Sequence, residues 1–243
     1  VYAVDDSKAQ LLRDADAAEE GPGYTCFGSP FPSDGEGSNT NQATLPTQIG
    51  AWVPGLLPDR TRDDAGFRIE KGDKIVMQVH YNMLEASPEN DQTKFEMEVV
   101  DEQPDQINLT RPLAILDLDI PAGESEAVHT KKFTNYGDEP IVLEGVTGHM
   151  HELGDNMSLR HIKPDRENAC VLDIPAWDFD WQQSYKFPKD DLVEVAPGES
   201  LELTCVYDNS PENQAVVDGE QLTPRDVEWG EGTTDEMCLL YMR

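Results

Sequence analysis

The sequence has little positive charge. It contains 18 lysine and arginine residues against 49 aspartate and glutamate residues, which gives a formal net charge of −31. Nucleic acids and anionic membrane surfaces are bound through basic patches, so this composition argues against both kinds of partner. The acidic residues are spread over the whole length. We interpret them as a strongly solvated surface, as in salt-adapted proteins, in preference to a binding face for a cationic partner.

Long apolar runs are also absent. No stretch of 18 apolar residues occurs, so the sequence encodes no transmembrane helix. Residues 1–4 include neither an initiator methionine nor the start of a signal peptide, and they read as a strand entered midway. We therefore expect a processed or truncated chain.

The four cysteines, Cys26, Cys170, Cys205 and Cys238, form no C-x-x-C pair. This excludes zinc ribbons and thioredoxin-like redox motifs. An even number of cysteines at wide spacing predicts one or two disulfides and a secreted, periplasmic or otherwise extracytoplasmic protein. Buried thiols are the alternative interpretation.

Helical patterns are rare, and the chain reads as an all-β protein. The alanine and leucine content of residues 7–20 predicts one short helix with Ser7 as its N-cap, followed by a loop at 21–48. Short alternating segments separated by Gly/Pro turns predict a β-sandwich. The predicted strands are 74–82, 94–100, 112–121, 127–135, 140–151, 156–163, 169–175, 200–208 and 237–242.

A polar, proline-containing stretch at 101–106 predicts a domain boundary. We therefore divide the chain into an N-terminal domain, residues 1–110, and a C-terminal domain, residues 111–243. The length of 243 residues is sufficient for two ordinary domains, each with its own core.

Two of the five histidines, His149 and His151, lie in the sequence GHMHELG. Residues i and i+2 of a strand point to the same face, about 6.5–7 Å apart, so both imidazoles can bind one metal ion. The alternative is a polar pair on an exposed strand. A third histidine ligand would suit zinc or copper. The candidates for that third ligand are Glu152, His161, His129 and a methionine near the C-terminus.

Met237 and His80 are weaker candidates by themselves. Met237 precedes Cys238 on a predicted strand, and a thioether is a soft ligand that favours Cu(I), although most methionines only fill a core. His80 shares one face of segment 74–82 with Gln78, where a hydrogen-bonded structural histidine is the alternative.

Taken together, these sequence motifs resemble those of the copper type II, ascorbate-dependent monooxygenases. The resemblance spans residues 49–242, and the motifs Q-V-H-Y, H-x-H-x-x-G and D-E-M-C occur in the order of that family. The matching segments are IGAWVPG (49–55), GFRIEKGDKIVMQVHYN (66–82), IPAGE (120–124), GHMHELG (148–154), LTCVYD (203–208) and TDEMCLLYM (234–242).

The resemblance implies two antiparallel, jelly-roll-like β-sandwich domains with one copper each. The catalytic copper would be held by His149, His151 and Met237. The electron-transfer copper would be held by three histidines, of which His80 is one. The family has the other two as an adjacent pair at a point that would precede Val1. We therefore expect the N-terminal domain and its copper site to be incomplete in this sequence.

Further positions follow from the same resemblance. Cys205 and Cys238 match a disulfide of the C-terminal domain, and Tyr241 matches a substrate-pocket tyrosine. Thr147 stands where the peptide-hydroxylating member has an arginine that would bind a peptide carboxylate, and Leu239 replaces an asparagine. A glycine-extended peptide is therefore not the expected substrate. Cys26 and Cys170 match no family partner.

The expected function is a copper-dependent monooxygenase. It would hydroxylate an activated C–H bond of a small organic molecule with O2 and an external reductant such as ascorbate. The first alternative is a non-catalytic, secreted copper-binding or copper-handling protein, and the second is a structural or adhesive sandwich in which H-x-H is incidental. Substrate identity and oligomeric state are not specified by the sequence.

Overall fold

A computed structural model describes residues 1–26, 29–32, 46–81, 92–164, 167–217, 220–232 and 234–243. Contacts within the chain define two units. Unit 1 comprises Val1–Ala51 and Asp59–Thr110, and unit 2 comprises Trp52–Pro58 and Arg111–Arg243. The predicted domains, 1–110 and 111–243, stay a prediction, and these units differ from them in the placement of Trp52–Pro58.

Unit 1 contains the single helical segment expected near the start of the chain. A 3-10 turn at Asp6–Lys8 leads into helix α1, Ala9–Ala18. Ser7 is not the N-cap, and that prediction is wrong. The carboxylate of Asp5 accepts a hydrogen bond from the backbone N–H of Ser7 at 2.8 Å, so it satisfies a donor that would otherwise lack a partner at the helix start.

The strands of unit 1 are short. They are β1, Tyr2–Val4; β2, Thr47–Gln48; β3, Ala65–Gly66; β4, Lys74–Val76; and β5, Gln106–Ile107. Antiparallel pairing gives the order β2-β1-β4, and β3 and β5 form a parallel pair.

Two strands predicted for this unit are not found as expected. Segment 74–82 forms a strand only at Lys74–Val76, and Asn82 lies outside the described residues. Segment 94–100 lies in no strand among the described residues. Alternation selects a face, but a strand also needs a neighbour that completes its backbone hydrogen bonds. The predicted loop at 21–48 is described only in part.

Unit 2 contains most of the β-structure. Its long strands are β6, Arg111–Ile115; β8, Ala127–Thr134; β10, Gly145–His149; β11, Gly154–Ile162; β12, Ala169–Ile174; β15, Ser200–Tyr207; and β19, Cys238–Met242. The shorter ones are β7, Asp119–Ile120; β9, Ile141–Leu143; β13, Ser184–Lys186; β14, Val193–Val195; β16, Val216–Val217; β17, Glu220–Gln221; and β18, Val227–Glu228. A 3-10 turn at Pro211–Asn213 follows β15.

Two four-stranded antiparallel sheets enclose one apolar core. Their strand orders are β13-β10-β19-β6 and β12-β11-β15-β8. Alternate residues of β10 and β19 point into the core, and they meet the inward side chains of β11 and β15. The predicted all-β fold with one short N-terminal helix is therefore confirmed. None of the helices in the described ranges has the length and hydropathy needed to span a membrane.

A disulfide joins the two sheets of unit 2. It links Cys205 on β15 with Cys238 on β19, both fully buried, with their Cα atoms 6.1 Å apart. The pairing implied by the family resemblance is confirmed. Cys26 and Cys170 are thiols, the former half-buried and the latter exposed.

Candidate metal centre

The histidine pair lies where β10 runs antiparallel to β19. His149 pairs with Leu239. The pairing ends at this residue pair, and hydrogen bonds to Glu236 and Asp235 connect His151 to the segment just before β19. Directly opposite residues of antiparallel strands share a face, with Cβ atoms about 4.5–5.5 Å apart. His149 therefore lies on the face of the sheet that points away from the core, and His151 and Met237 lie just beyond the ends of the same two strands. The two imidazole centroids are 5.2 Å apart.

Gln182 orients the ring of His149. Its amide oxygen, Oε1, lies 2.7 Å from Nδ1 of His149. Its Nε2 donates to the carbonyl of Phe179 at 2.7 Å, so Oε1 is the acceptor and Nδ1 carries the proton. In a neutral ring the lone pair is then on Nε2, which is the nitrogen that would bind a metal.

His151 is oriented in the same way by a backbone group. Its Nδ1 donates to the carbonyl oxygen of Asp235 at 2.8 Å, which again assigns the lone pair to Nε2. Only 7% of the residue is exposed, and the ring of Phe179 packs against it edge-on at 6.2 Å. Trp177 donates its indole N–H to the carbonyl of His151 at 3.1 Å, so backbone and ring are both fixed.

Met237 is held from the side of the core. Only 8% of it is exposed, and its carbonyl accepts a hydrogen bond from the hydroxyl of Tyr207 at 2.8 Å. Burial raises the pKa of Tyr207, so this hydroxyl keeps its proton and remains a donor. The next residue, Cys238, is fixed by the disulfide to Cys205. The backbone at Met237 is thus held by a hydrogen bond at its carbonyl and by the disulfide of the next residue.

The other candidate third ligands do not join the pair. Within the described ranges, no group of three His, Cys, Asp or Glu side chains could hold a metal ion. His161 lies in the core, where its Nε2 is 2.8 Å from a carboxylate oxygen of Glu199. His129 packs edge-on against Tyr207, and Glu152 is exposed. Met237 is not of these residue types, and its role as the third ligand stays a prediction.

Glu236 ties the two ligand-bearing segments together. One of its carboxylate oxygens, Oε2, accepts from the backbone N–H groups of His151 and Met237, at 2.8 and 3.3 Å. The other, Oε1, accepts from Leu153 at 2.7 Å. Burial raises the pKa of Glu236 to about 7, although these three N–H donors act in the opposite direction, and nearby Glu152 raises it further. The carboxylate fixes the backbones of two predicted ligands to each other.

Arg225 secures the loop that holds His151. Its guanidinium donates to the carbonyl and hydroxyl of Thr234, at 2.7 and 3.1 Å, and to a carboxylate oxygen of Asp235 at 3.1 Å. The other carboxylate oxygen of Asp235 accepts from the N–H of Gly232 at 3.2 Å. The carbonyl that orients His151 therefore belongs to a residue held by several bonds.

Sequence reasoning missed Gln182, Asp235 and Glu236 as parts of the site. Gln182 precedes a short strand in a stretch without a motif, and only the pairing of that strand, β13, with β10 brings this stretch close to His149. Asp235 and Glu236 precede Met237 directly, inside the D-E-M-C motif. Two acidic residues beside an apolar strand were a usable signal, because a buried carboxylate needs hydrogen-bond donors.

The remaining predicted residues have different surroundings. Thr147 and Tyr241 are direct cross-strand partners, both half-buried, on the same face as the histidines. Leu239, the partner of His149, is buried on that face. His80 is an exposed residue of unit 1 that follows strand β4, and its role in a second copper site stays a prediction.

Residues 127–243 match a family model described as copper type II ascorbate-dependent monooxygenase, C-terminal domain. The match covers a little under half of the chain, so it shows a similarity of these residues to that domain. The matched residues include His149, His151, Met237 and the disulfide. A comparison with curated proteins found no match to the chain. Dependence on copper and ascorbate is a property of the matched family, and the match falls entirely within unit 2.

Proposed function

We propose that this protein is a copper-dependent monooxygenase whose catalytic copper is held by His149, His151 and Met237. The observation that carries the proposal is the pair of Nδ1 hydrogen bonds, from His149 to Gln182 and from His151 to Asp235. Histidines that bind metals through Nε2 commonly donate Nδ1–H to a carbonyl or carboxylate oxygen. Two imidazoles and a thioether suit copper, because the soft sulfur favours Cu(I).

Each protein group has a defined task in this proposal. Copper, when bound, supplies the activation of O2 that the side chains cannot provide. Gln182 and Asp235 accept the Nδ1–H of the two imidazoles, so that each neutral ring has its lone pair on Nε2. Glu236 keeps the backbones of His151 and Met237 at a fixed separation. Phe179 and Trp177 restrict access of water beside His151.

The proposed reaction converts a C–H bond into C–OH. One atom of O2 enters the product, and the other is reduced to water by two electrons and two protons. Ascorbate, as the external reductant, would supply both electrons. The electron-transfer copper that includes His80 is part of this proposal. An extracytoplasmic location agrees with the Cys205–Cys238 disulfide, which persists in oxidising compartments.

The substrate would lie beside Thr147 and Tyr241, which share the histidine face of the sheet. Thr147 has no charge with which to bind a carboxylate, whereas an arginine there would bind one through two hydrogen bonds. We therefore propose a small organic substrate with an activated C–H bond, recognised by a route other than a carboxylate at this position.

Two matched methionine variants test the ligand assignment. Met237→Leu should lower Cu(I) affinity by about tenfold or more, since even loss of a residue that only supports a ligand costs 10- to 100-fold. Met150→Leu makes the same chemical change on the inward face, at a fully buried position, and should leave that affinity unchanged. Competition with a chromogenic Cu(I) chelator measures both. Wild-type affinity in Met237→Leu would refute this ligand set.

Catalysis is tested separately on the copper-loaded chain. We expect ascorbate-driven O2 uptake with a panel of small organic substrates, with one atom of ¹⁸O2 recovered in a hydroxylated product. Copper binding without such incorporation under any substrate would favour the alternative, a copper-binding protein without catalysis. Absence of copper binding would reject both.

A further inference from the structure

Residues Trp52–Pro58, which we call the strap, belong to unit 2 although the residues before and after them belong to unit 1. The strap contains a tight turn, in which the N–H of Leu56 donates to the carbonyl of Val53 at 3.0 Å. Pro54 and Gly55 occupy its centre, and Gly55 has φ of +77°. Proline followed by a residue with positive φ is typical of a type II turn.

The turn packs directly on the backbone of the loop that precedes β13. A Cβ atom added to Gly55 would lie 2.5 Å from the carbonyl oxygen of Asp180 and 2.9 Å from the Cα of Trp181. Both contacts are with backbone, which cannot move aside as a flexible side chain can. Glycine is therefore required here for close approach as well as for its φ.

Hydrogen bonds continue from the strap to the loop. The carbonyl of Pro54 accepts from the backbone N–H of Gln182 at 3.1 Å. The carbonyl of Gly55 accepts from the side-chain amide of Gln183 at 2.5 Å. These bonds fix the backbone of Gln182, a residue that is only 1% exposed.

Gln182 is also the residue that orients His149. With its backbone held by the strap and its Nε2 bonded to the carbonyl of Phe179, its Oε1 has one position, 2.7 Å from Nδ1 of His149. The contacts form an unbroken series from Gly55 through Gln182 to His149.

We propose that the strap is a positioning element for His149, and that Gly55 is the residue on which this positioning depends. A copper-related role of the strap rests on the function proposed above, since His149 is a ligand only under that proposal. The orientation of His149 itself can be measured in the metal-free protein. The two proposals can therefore fail separately.

The test compares Gly55→Ala with Gly123→Ala. Gly123 is a matched control in the same unit, because its φ is +83° and nothing lies within 4 Å of an added Cβ. Both variants carry the strain of alanine at positive φ, of about 1 kcal/mol, but only Gly55→Ala displaces the loop. Gln183→Met is a milder second variant, which removes one strap bond without adding a clash.

Two measurements are made on each variant. In metal-free protein with ¹⁵N-labelled histidine, NMR reports the exchange rate of the His149 Nδ1–H proton. We expect exchange about tenfold faster in Gly55→Ala than in Gly123→Ala, and a smaller acceleration in Gln183→Met. Cu(I) affinity, measured by chelator competition, should fall by about tenfold in Gly55→Ala, as for loss of a residue that supports a metal ligand.

The outcomes separate the two proposals. Equal His149 exchange in Gly55→Ala and Gly123→Ala would overturn the positioning role of the strap, whether or not the protein binds copper. If exchange of the His149 proton is faster in Gly55→Ala and the wild-type protein binds no copper, the positioning role of the strap is supported and the copper function is rejected. If Gly55→Ala fails to fold, the Gln183→Met measurement decides the same question.

Discussion

Strands β10 and β19 have two faces that serve different purposes. The inward face carries Gly148, Met150, Cys238 and Leu240, all buried in the core between the sheets. The outward face of the same strands carries His149, together with Leu239 and Tyr241, and His151 and Met237 lie just beyond the strand ends. Because side chains alternate along a strand, core packing on one face fixes the positions of the chemical groups on the other. Packing of the inward face in the core thus supports the outward face, which carries His149.

The largest effect on this arrangement should come from the disulfide. Replacing Cys205 and Cys238 together by alanine removes a cross-link over a sequence separation of 33 residues. We expect the free energy of unfolding to fall by about 4 kcal/mol, measured by urea denaturation. Cys170→Ser, at an exposed thiol, is the control and should change little. If the folded double variant loses as much Cu(I) affinity as Met237→Leu, the inward face affects metal binding as strongly as a predicted ligand does, and the proposed division of roles between the two faces is wrong.

Adjacent leucines on β19 compare the two faces directly. Leu240→Ala opens a cavity in the core and should lower the free energy of unfolding by about 3 kcal/mol. Leu239→Ala, beside His149, should cost less than Leu240→Ala but should alter the Cu(II) electron paramagnetic resonance spectrum, which Leu240→Ala should leave unchanged. Equal unfolding free energies with equal spectra would contradict the division between a supporting face and a chemical face.

Gly148 tests how closely the inward face is packed. A Cβ atom added there would lie 2.5 Å from the sulfur of Met157 on the opposite sheet. We expect Gly148→Ala to lower the free energy of unfolding by about 2 kcal/mol through overpacking. The double variant Gly148→Ala/Met157→Val should recover part of the lost unfolding free energy. If urea denaturation shows that the effects of the two single substitutions simply add, the contact between residues 148 and 157 is not the cause of the destabilisation.

Arg225 should give the smallest effect on stability. Its side chain is 54% exposed, so Arg225→Met should change the free energy of unfolding by less than about 1 kcal/mol. The bonds to Thr234 and Asp235 are lost, and we expect faster exchange of the His151 Nδ1–H proton by NMR. The His149 proton, held by Gln182, serves as the internal control. Equal increases in the exchange rates of both protons would indicate that the whole site is destabilised and that the effect is not local to His151.

Much of unit 2 could be predicted from the sequence, while unit 1 could not. Strands β8, β11, β12 and β15 lie within one or two residues of the predicted segments, because each contributes side chains to the core between two sheets and is bounded by turn residues. Segment 94–100 alternates equally well but lies in no strand among the described residues. Periodicity records which face is apolar, not whether a neighbouring strand is available to pair.

The sequence by itself was sufficient for the all-β class and, through the family resemblance, for the disulfide, since these depend on residue type and on matching motifs. The three copper ligands, which come from the same resemblance, stay a prediction. Only the tertiary structure decided what supports the ligands. Gln182, Glu236 and the strap lie far from His149 and His151 along the chain, and strand register brings them there. Register is a property of paired strands, and no single segment of sequence contains it.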